Sequence, residues 1–325
     1  MVTDTGGIDD KSFNQSSWQG MQAAKAAQPN IQITYLPSTT TADYASNIST
    51  FIAQKCGIIV TVGFLMAGAT ETAAKSNPTQ KFAIVDCSYA SFCLSGAKET
   101  NIDQLVFNTV QDSFLGGYLA AATSKTKVVA TYGGQNFGTV TIYMDGFYDG
   151  VQYYNAQHHA NVKVLGWNEK TQKGNFIGNF TDLGAGQALT NTFIGDQADV
   201  IFPVAGGVGL GTAKAVQTAD NGGKNVSIEW VDTDGCISAA QYCKYFLTSV
   251  TKGITEAVKT AVLAAANGTF AGGTYVGTLA NGGAALSPFH PPWTTKVPAA
   301  LQAELNTLKS EIESGKIVPA TKAPV

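Results

Sequence analysis

Short runs rich in Val and Ile alternate with longer helix-patterned stretches from one end of the chain to the other, and this rhythm restricts the fold more than any other feature. Segments 31–35, 57–62, 81–86, 105–108, 127–132, 162–166, 199–204 and 226–232 read as strands. Segments 12–27, 42–55, 67–76, 113–124, 144–155, 183–194, 209–219, 254–266 and 298–314 read as helices. Strands apolar on both faces and separated by helices imply α/β architecture, parallel sheets covered on two sides. At 325 residues the chain exceeds what one hydrophobic core serves. Two doubly wound lobes are therefore expected, with the second βα series beginning near Lys127. The division expected is 1–125 with 250–285 for one lobe and 126–249 with 286–325 for the other. The chain would cross near 124–127, 249–252 and 284–288, with the Gly-rich stretch 271–287 as crossover and hinge. A ligand would bind beyond the carboxyl ends of the strands, in a cleft between the lobes.

Composition narrows what such a cleft takes. Hydrophobic residues make up 44% and charged residues 13%, and no run approaches the ~18 apolar residues of a membrane span. The net charge of -3, with basic residues scattered singly, argues against nucleic acid as a partner. All 20 basic residues are lysine. Without the planar fork of arginine, recognition of carboxylates or phosphates is disfavoured and a neutral solute fits better. Cys87 with Cys93 and Cys236 with Cys243 form two close pairs, while Cys56 stands alone. Short-loop disulfides outside the cytoplasm are one reading, and small buried thiols are the other. The spacing expects no metal site, because no C-x-x-C occurs and the three histidines lie far from both pairs in sequence. The chain opens at Met1-Val2 on what reads as the end of a strand, as a trimmed protein with an added initiator would.

Candidate site residues fall where strands hand over to helices. Asp4, Ser12, Phe13 and Asn14 belong to a polar, glycine-containing turn; Asp9, Asp10 or Ser12 would cap the helix that follows. Asp112 reads either as an N-cap or as a ligand contact. Phe202 and Gly207 lie in a strand-to-helix loop that lacks the lysine and spacing of a phosphate cradle. Asp232 ends a strand with carboxylates suited to sugar hydroxyls, and Lys252 follows soon after. No catalytic constellation and no cofactor signature accompany them. An enzyme reading survives in Thr3 to Asp10, which is similar to the calcium loop of nucleoside hydrolases, although Val2, Thr5 and an added glycine disrupt its ligands.

Taken in order, several segments resemble the basic membrane protein family, which includes the purine nucleoside receptor A lipoproteins. They are Asp4 with the run from Asp9 to Gln15, then Phe114 to Ala121, Gly146 to Val151, Ala198 to Gly207, Val231 to Asp234 and Leu247 to Lys252. The resemblance implies a type I periplasmic-binding-protein fold, a monomeric extracytoplasmic receptor that delivers a purine nucleoside to an ABC permease, and a lipid anchor on an upstream cysteine. It implies that Phe13 and Phe202 sandwich the base, that Ser12 or Asn14 holds its edge, that Asp232 and Lys252 hold the ribose hydroxyls, and that Asp4 and Asp112 lie near the base and sugar, with Gly207 contacting through its backbone. A sensor domain of the same fold is a further reading. The segment 87–103 reads as a surface insertion, and its part from Cys87 to Cys93, the segment 236–243 and the lack of arginine depart from the family pattern.

Overall fold

The computed structural model describes residues 1–89, 93 and 100–323. Over the described residues the chain passes three times between two units, Met1–Phe107 with Gly253–Gly277 and Asn108–Lys252 with Thr278–Ala323. The first crossing precedes the helix at 110–123, so it lies one helix earlier than the stretch 124–127 expected from the sequence.

Elements are numbered along the whole chain. The first unit holds a parallel sheet of β1 (Ile59–Val62), β2 (Phe82–Val85), β3 (Ile102–Phe107) and β11 (Gly273–Gly277), in that order. Val2 bridges in parallel to both Thr61 and Leu36, continuing the sheet past β1. Side chains alternate between faces along a strand, so each face collects its own core. Val60, Val62, Ala83, Val85, Leu105 and Phe107 meet α1 (Phe13–Ala27) and α9 (Ile254–Ala266) through Met21, Ala24, Ile254 and Val258. Ile59, Phe82, Ile84 and Ile102 meet α2 (Asp43–Ala53) and α3 (Ala67–Ser76) through Tyr44, Ile48, Phe51 and Ala74. Each such buried aliphatic or Phe side chain stabilises by about 1.5–3 kcal/mol.

The second unit is built on six strands in the order β12-β10-β9-β8-β4-β5. Here β4 is Val128–Gly133, β5 Lys163–Leu165, β8 Val200–Val204, β9 Ser227–Asp232, β10 Phe246–Lys252 and β12 Ala284–Leu286. Only β12 runs antiparallel to its neighbour in this sheet. A two-residue hairpin, β6 (Trp167–Asn168) with β7 (Lys173–Gly174), stands apart. One face packs Tyr132, Ile201, Ile228 and Trp230 against α6 (Leu183–Gly195) and α7 (Gly209–Asn221). The other carries α4 (Val110–Thr123) and α5 (Gly138–His158), whose Phe147 ring lies 5.5 Å from that of Phe202. These two helices touch backbone to backbone. A Cβ on Gly117 would stand 2.0 Å from the carbonyl of Phe147, and one on Gly150 2.0 Å from that of Phe114, so only glycine fits at either place. The second unit is completed by α8 (Gly235–Ser238), α10 (Trp293–Lys296) and α11 (Ala299–Glu313).

Segment 31–35 forms no strand; only Leu36 beyond it makes a bridge. The stretch 271–287, expected as crossover and hinge, supplies β11 to one sheet and β12 to the other. The expected insertion 87–103 falls in part on 90–92 and 94–99, outside the described residues. Among the described residues no helix is long and apolar enough to cross a membrane.

Candidate functional site

Polar side chains collect beyond the carboxyl ends of the strands in each unit. In the first, Asp10 organises the turn into α1. Its Oδ1 accepts from the backbone N–H of Ser12 and of Gln15, both at 3.0 Å, and its Oδ2 from the N–H and Nδ2 of Asn14 at 2.8 and 3.1 Å. Asp10 therefore does the capping, and the hydroxyl of Ser12 makes no cap bond. Asn14 ties the turn to the strand end, since its Oδ1 accepts from the N–H of Asp4 at 3.0 Å. The carboxylate of Asp4 accepts from Thr5 N–H at 2.7 Å and from the Tyr44 hydroxyl. Burial raises the Asp4 carboxyl above its usual range, with the Tyr44 bond opposing. Gly63, at φ 107°, leaves room for it: a Cβ there would sit 2.6 Å from Asp4 Oδ2. Phe13 is half-buried, packed on the core beneath α1.

In the second unit, Asp232 ends β9 with a left-handed φ of 66°, an uncommon conformation for a side-chain-bearing residue. Its Oδ1 accepts from the Tyr143 hydroxyl at 2.9 Å and lies 3.8 Å from Lys252 Nζ at the end of β10. The ammonium also stands 5.0 Å from the centre of the Tyr143 ring. Asp112 is not the N-cap of α4, a position held by Thr109, but sits in the first turn, where the helix dipole favours a carboxylate. It is fully buried; Oδ2 accepts from Ala285 N–H at 3.1 Å, and Oδ1 is buried with no hydrogen-bond partner among the described residues. Burial holds the Asp112 carboxyl well above the usual range, against the opposing charge of Lys252. Phe202 is fully buried beside Tyr143 and Phe147, and Gly207 lies in the turn Gly206–Val208 that leads from β8 into α7.

Each unit thus brings its own share of the expected residues together: Asp4 and Asn14 in the first, and Asp232 with Lys252, within electrostatic reach of Asp112, in the second. Sequence reasoning missed Tyr44 and Tyr143, which hold the two strand-end aspartates from positions 40 and 89 residues away in the chain. Only the spacing of Tyr143 four residues before Phe147 on one face of α5 hinted at the second. The arrangement offers buried carboxylate acceptors, one ammonium donor and aromatic faces, a chemistry of recognition. Cys87 is bonded to Cys93 and Cys236 to Cys243, while Cys56 is a free, half-buried thiol.

The chain is 27% identical, across 99% of its length and 88% of the relative's, to the ABC transporter nucleoside-binding protein BmpA of Lactococcus lactis subsp. cremoris. It is 31% identical to the CD4+ T-cell-stimulating antigen of Listeria monocytogenes, over 85% of this chain and 75% of that protein. Among solved structures, an ABC transporter system solute-binding protein from Aeropyrum pernix superposes with a TM-score of 0.85 at 22% identity, covering 98% of this chain and 92% of that one. The fold is the type I periplasmic-binding fold of ABC solute-binding proteins. Residues 1–316 match the family described as ABC transporter substrate-binding protein PnrA-like, and the chain belongs to that family of binding proteins.

Proposed function

We propose that the chain is the extracytoplasmic receptor of an ABC importer for a purine nucleoside, acting as a monomer tethered by an upstream lipid anchor and handing its ligand to a permease. The observation that carries this reading is the buried Asp232, Tyr143 and Lys252 group at the ends of β9 and β10. A buried carboxylate is an acceptor-only group, and the vicinal hydroxyls of a ribose are donors suited to it. Asp112 would share that task. The polar turn around Asp4, Ser12 and Asn14 would read the edge of the base, with Phe13 and Phe202 as its aromatic contacts and Gly207 offering backbone. A relative aligned over nearly the whole chain is named as a nucleoside-binding protein, which supports the same ligand class. Against the hydrolase reading, the Asp10 carboxylate is engaged by four N–H donors of the turn into α1, the role of a helix cap.

A thermal-shift screen over nucleosides, free bases and sugars, on protein stripped of co-purified ligand, tests the reading. A purine nucleoside at 100 times its Kd should add about 2.7 kcal/mol of apparent stability. Stabilisation by ribose alone, or by another sugar and not nucleosides, would assign the site to another solute.

A further inference from the structure

The loop that follows β9 gathers metal-ligating side chains that the proposed nucleoside contacts do not use. Asp234 Oδ1 accepts from Cys236 N–H at 2.9 Å, and its Oδ2 lies 2.7 Å from His290 Nε2. One ligand atom each from Asp234, Cys236 and His290 falls within 4.8 Å of the other two. Cys243 is bonded to Cys236, with a Cα–Cα distance of 4.4 Å. All four side chains are partly accessible. In the oxidised protein this is a poor metal site, because a disulfide sulfur carries no thiolate charge and leaves only a carboxylate and an imidazole.

We propose that reduction of the Cys236–Cys243 bond converts this loop into a four-coordinate zinc site formed by the two thiolates, the His290 imidazole and the Asp234 carboxylate. In the reducing step two molecules of a small thiol transfer two electrons, giving two cysteine thiols and one small-molecule disulfide. Zinc then displaces one proton from each thiol, so two protons leave per ion bound. Two sulfurs, one nitrogen and one oxygen are a donor set that Zn2+ takes in tetrahedral geometry.

The segments that carry these ligands are tied together independently of the disulfide. Trp293 Nε1, three residues past His290, donates to the carbonyl of Lys244 at 3.1 Å, next to Cys243. The carbonyl of His290 accepts from Trp293 and Thr294 N–H, fixing its backbone at the start of α10. Gly235 N–H donates to Ser249 Oγ at 3.0 Å, anchoring the other side of the loop to β10. Opening the disulfide therefore leaves the ligand-bearing backbone in place, which is the preorganisation a metal site requires. The site does not depend on which solute the protein binds.

The test is a zinc titration of the full chain before and after treatment with excess dithiol, the dithiol being removed without oxygen and a chromophoric chelator reporting free metal. Cobalt(II) serves as the spectroscopic probe. The reduced protein should bind one zinc per chain and the oxidised protein none at the same concentration. The cobalt form should show thiolate-to-metal charge transfer and tetrahedral visible bands. A variant with Cys56→Ser, Cys87→Ser and Cys93→Ser should keep this site. His290→Ala should weaken it by at least ~10-fold. Circular dichroism confirms that each protein is folded. Absence of stoichiometric zinc in the folded reduced protein, or binding undiminished in Cys236→Ser/Cys243→Ser, overturns the proposal.

Discussion

Replacing Asp232 probes stability and recognition at once, and the two effects separate by the choice of substituent. Lys252 and Asp232 side chains are 4% and 8% exposed. Asp232→Ala therefore takes a counter-charge from a buried ammonium, a loss of up to about 3–5 kcal/mol. It also takes the acceptor from Tyr143 and puts alanine at a φ of 66°. Against a total stability of roughly 5–15 kcal/mol, that weakens the fold itself. Asp232→Asn is the sharper instrument. Asparagine tolerates the left-handed region and still accepts from Tyr143, so what it removes is the charge. If ribose hydroxyls donate to this carboxylate, the variant loses part of a charge-assisted bond of about 1.5–3 kcal/mol, up to a ~10- to 150-fold fall in affinity. Calorimetric titration with a purine nucleoside, alongside thermal melts, reads both quantities. Asp232→Asn with Lys252→Met should recover stability without recovering affinity. A folded Asp232→Asn protein with unchanged affinity refutes the ribose contact.

Glu229 lies fully buried in β9 with neither carboxylate oxygen hydrogen-bonded among the described residues, and burial raises its pKa from 4.5 to about 8. Because the folded state then holds a proton that the unfolded state has released, stability falls with rising pH between 4.5 and 8, by about 1.4 kcal/mol per pH unit at most. Glu229→Gln should lessen that slope in melting temperatures measured across the window; an identical slope in the variant contradicts the assignment. Phe13→Ala should weaken nucleosides and free bases alike, by roughly 1–3 kcal/mol of lost stacking, whereas Asp232→Asn leaves free bases unaffected. Calorimetry with adenine and adenosine distinguishes the two patterns. Mass spectrometry of non-reduced peptides should find Cys87 joined to Cys93 and Cys236 to Cys243, with Cys56 alone alkylated; five alkylated cysteines would count against both bonds.

Much of the fold was legible because its elements satisfy local and global preferences together. α3 and α9 span the residues that their apolar spacing indicated, and β8 and β9 begin within a residue of where their Val and Ile runs do. The exceptions have physical causes. β10 mixes apolar side chains with Thr248, Ser249 and Thr251 without strict alternation, a pattern that looks like a solvated loop until Ser287 and Ala285 are seen to bond these groups. β11 is a glycine-flanked edge strand whose pairing with β3 depends on chain 169 residues away. α5 begins six residues before the expected 144, over Gly138, Thr139, Val140 and Thr141, weak helix formers. Contact with α4 through Gly117 and Gly150 provides what propensity does not. For the site, strand-end carboxylates were visible as residue types in turns. Their tyrosine partners were not, since a hydroxyl inside a helix gives no sign in sequence of what it will face after folding.

The central claim is that this chain recognises a nucleoside as a base joined to a ribose. Calorimetric titration of the ligand-free protein with guanosine, inosine and adenosine, with the matching free bases and with ribose, tests it most directly. One site per chain is expected for at least one purine nucleoside, with a free base at least ~10-fold weaker and no heat from ribose. Equal affinity for a base and its nucleoside, or binding of ribose alone, would contradict it.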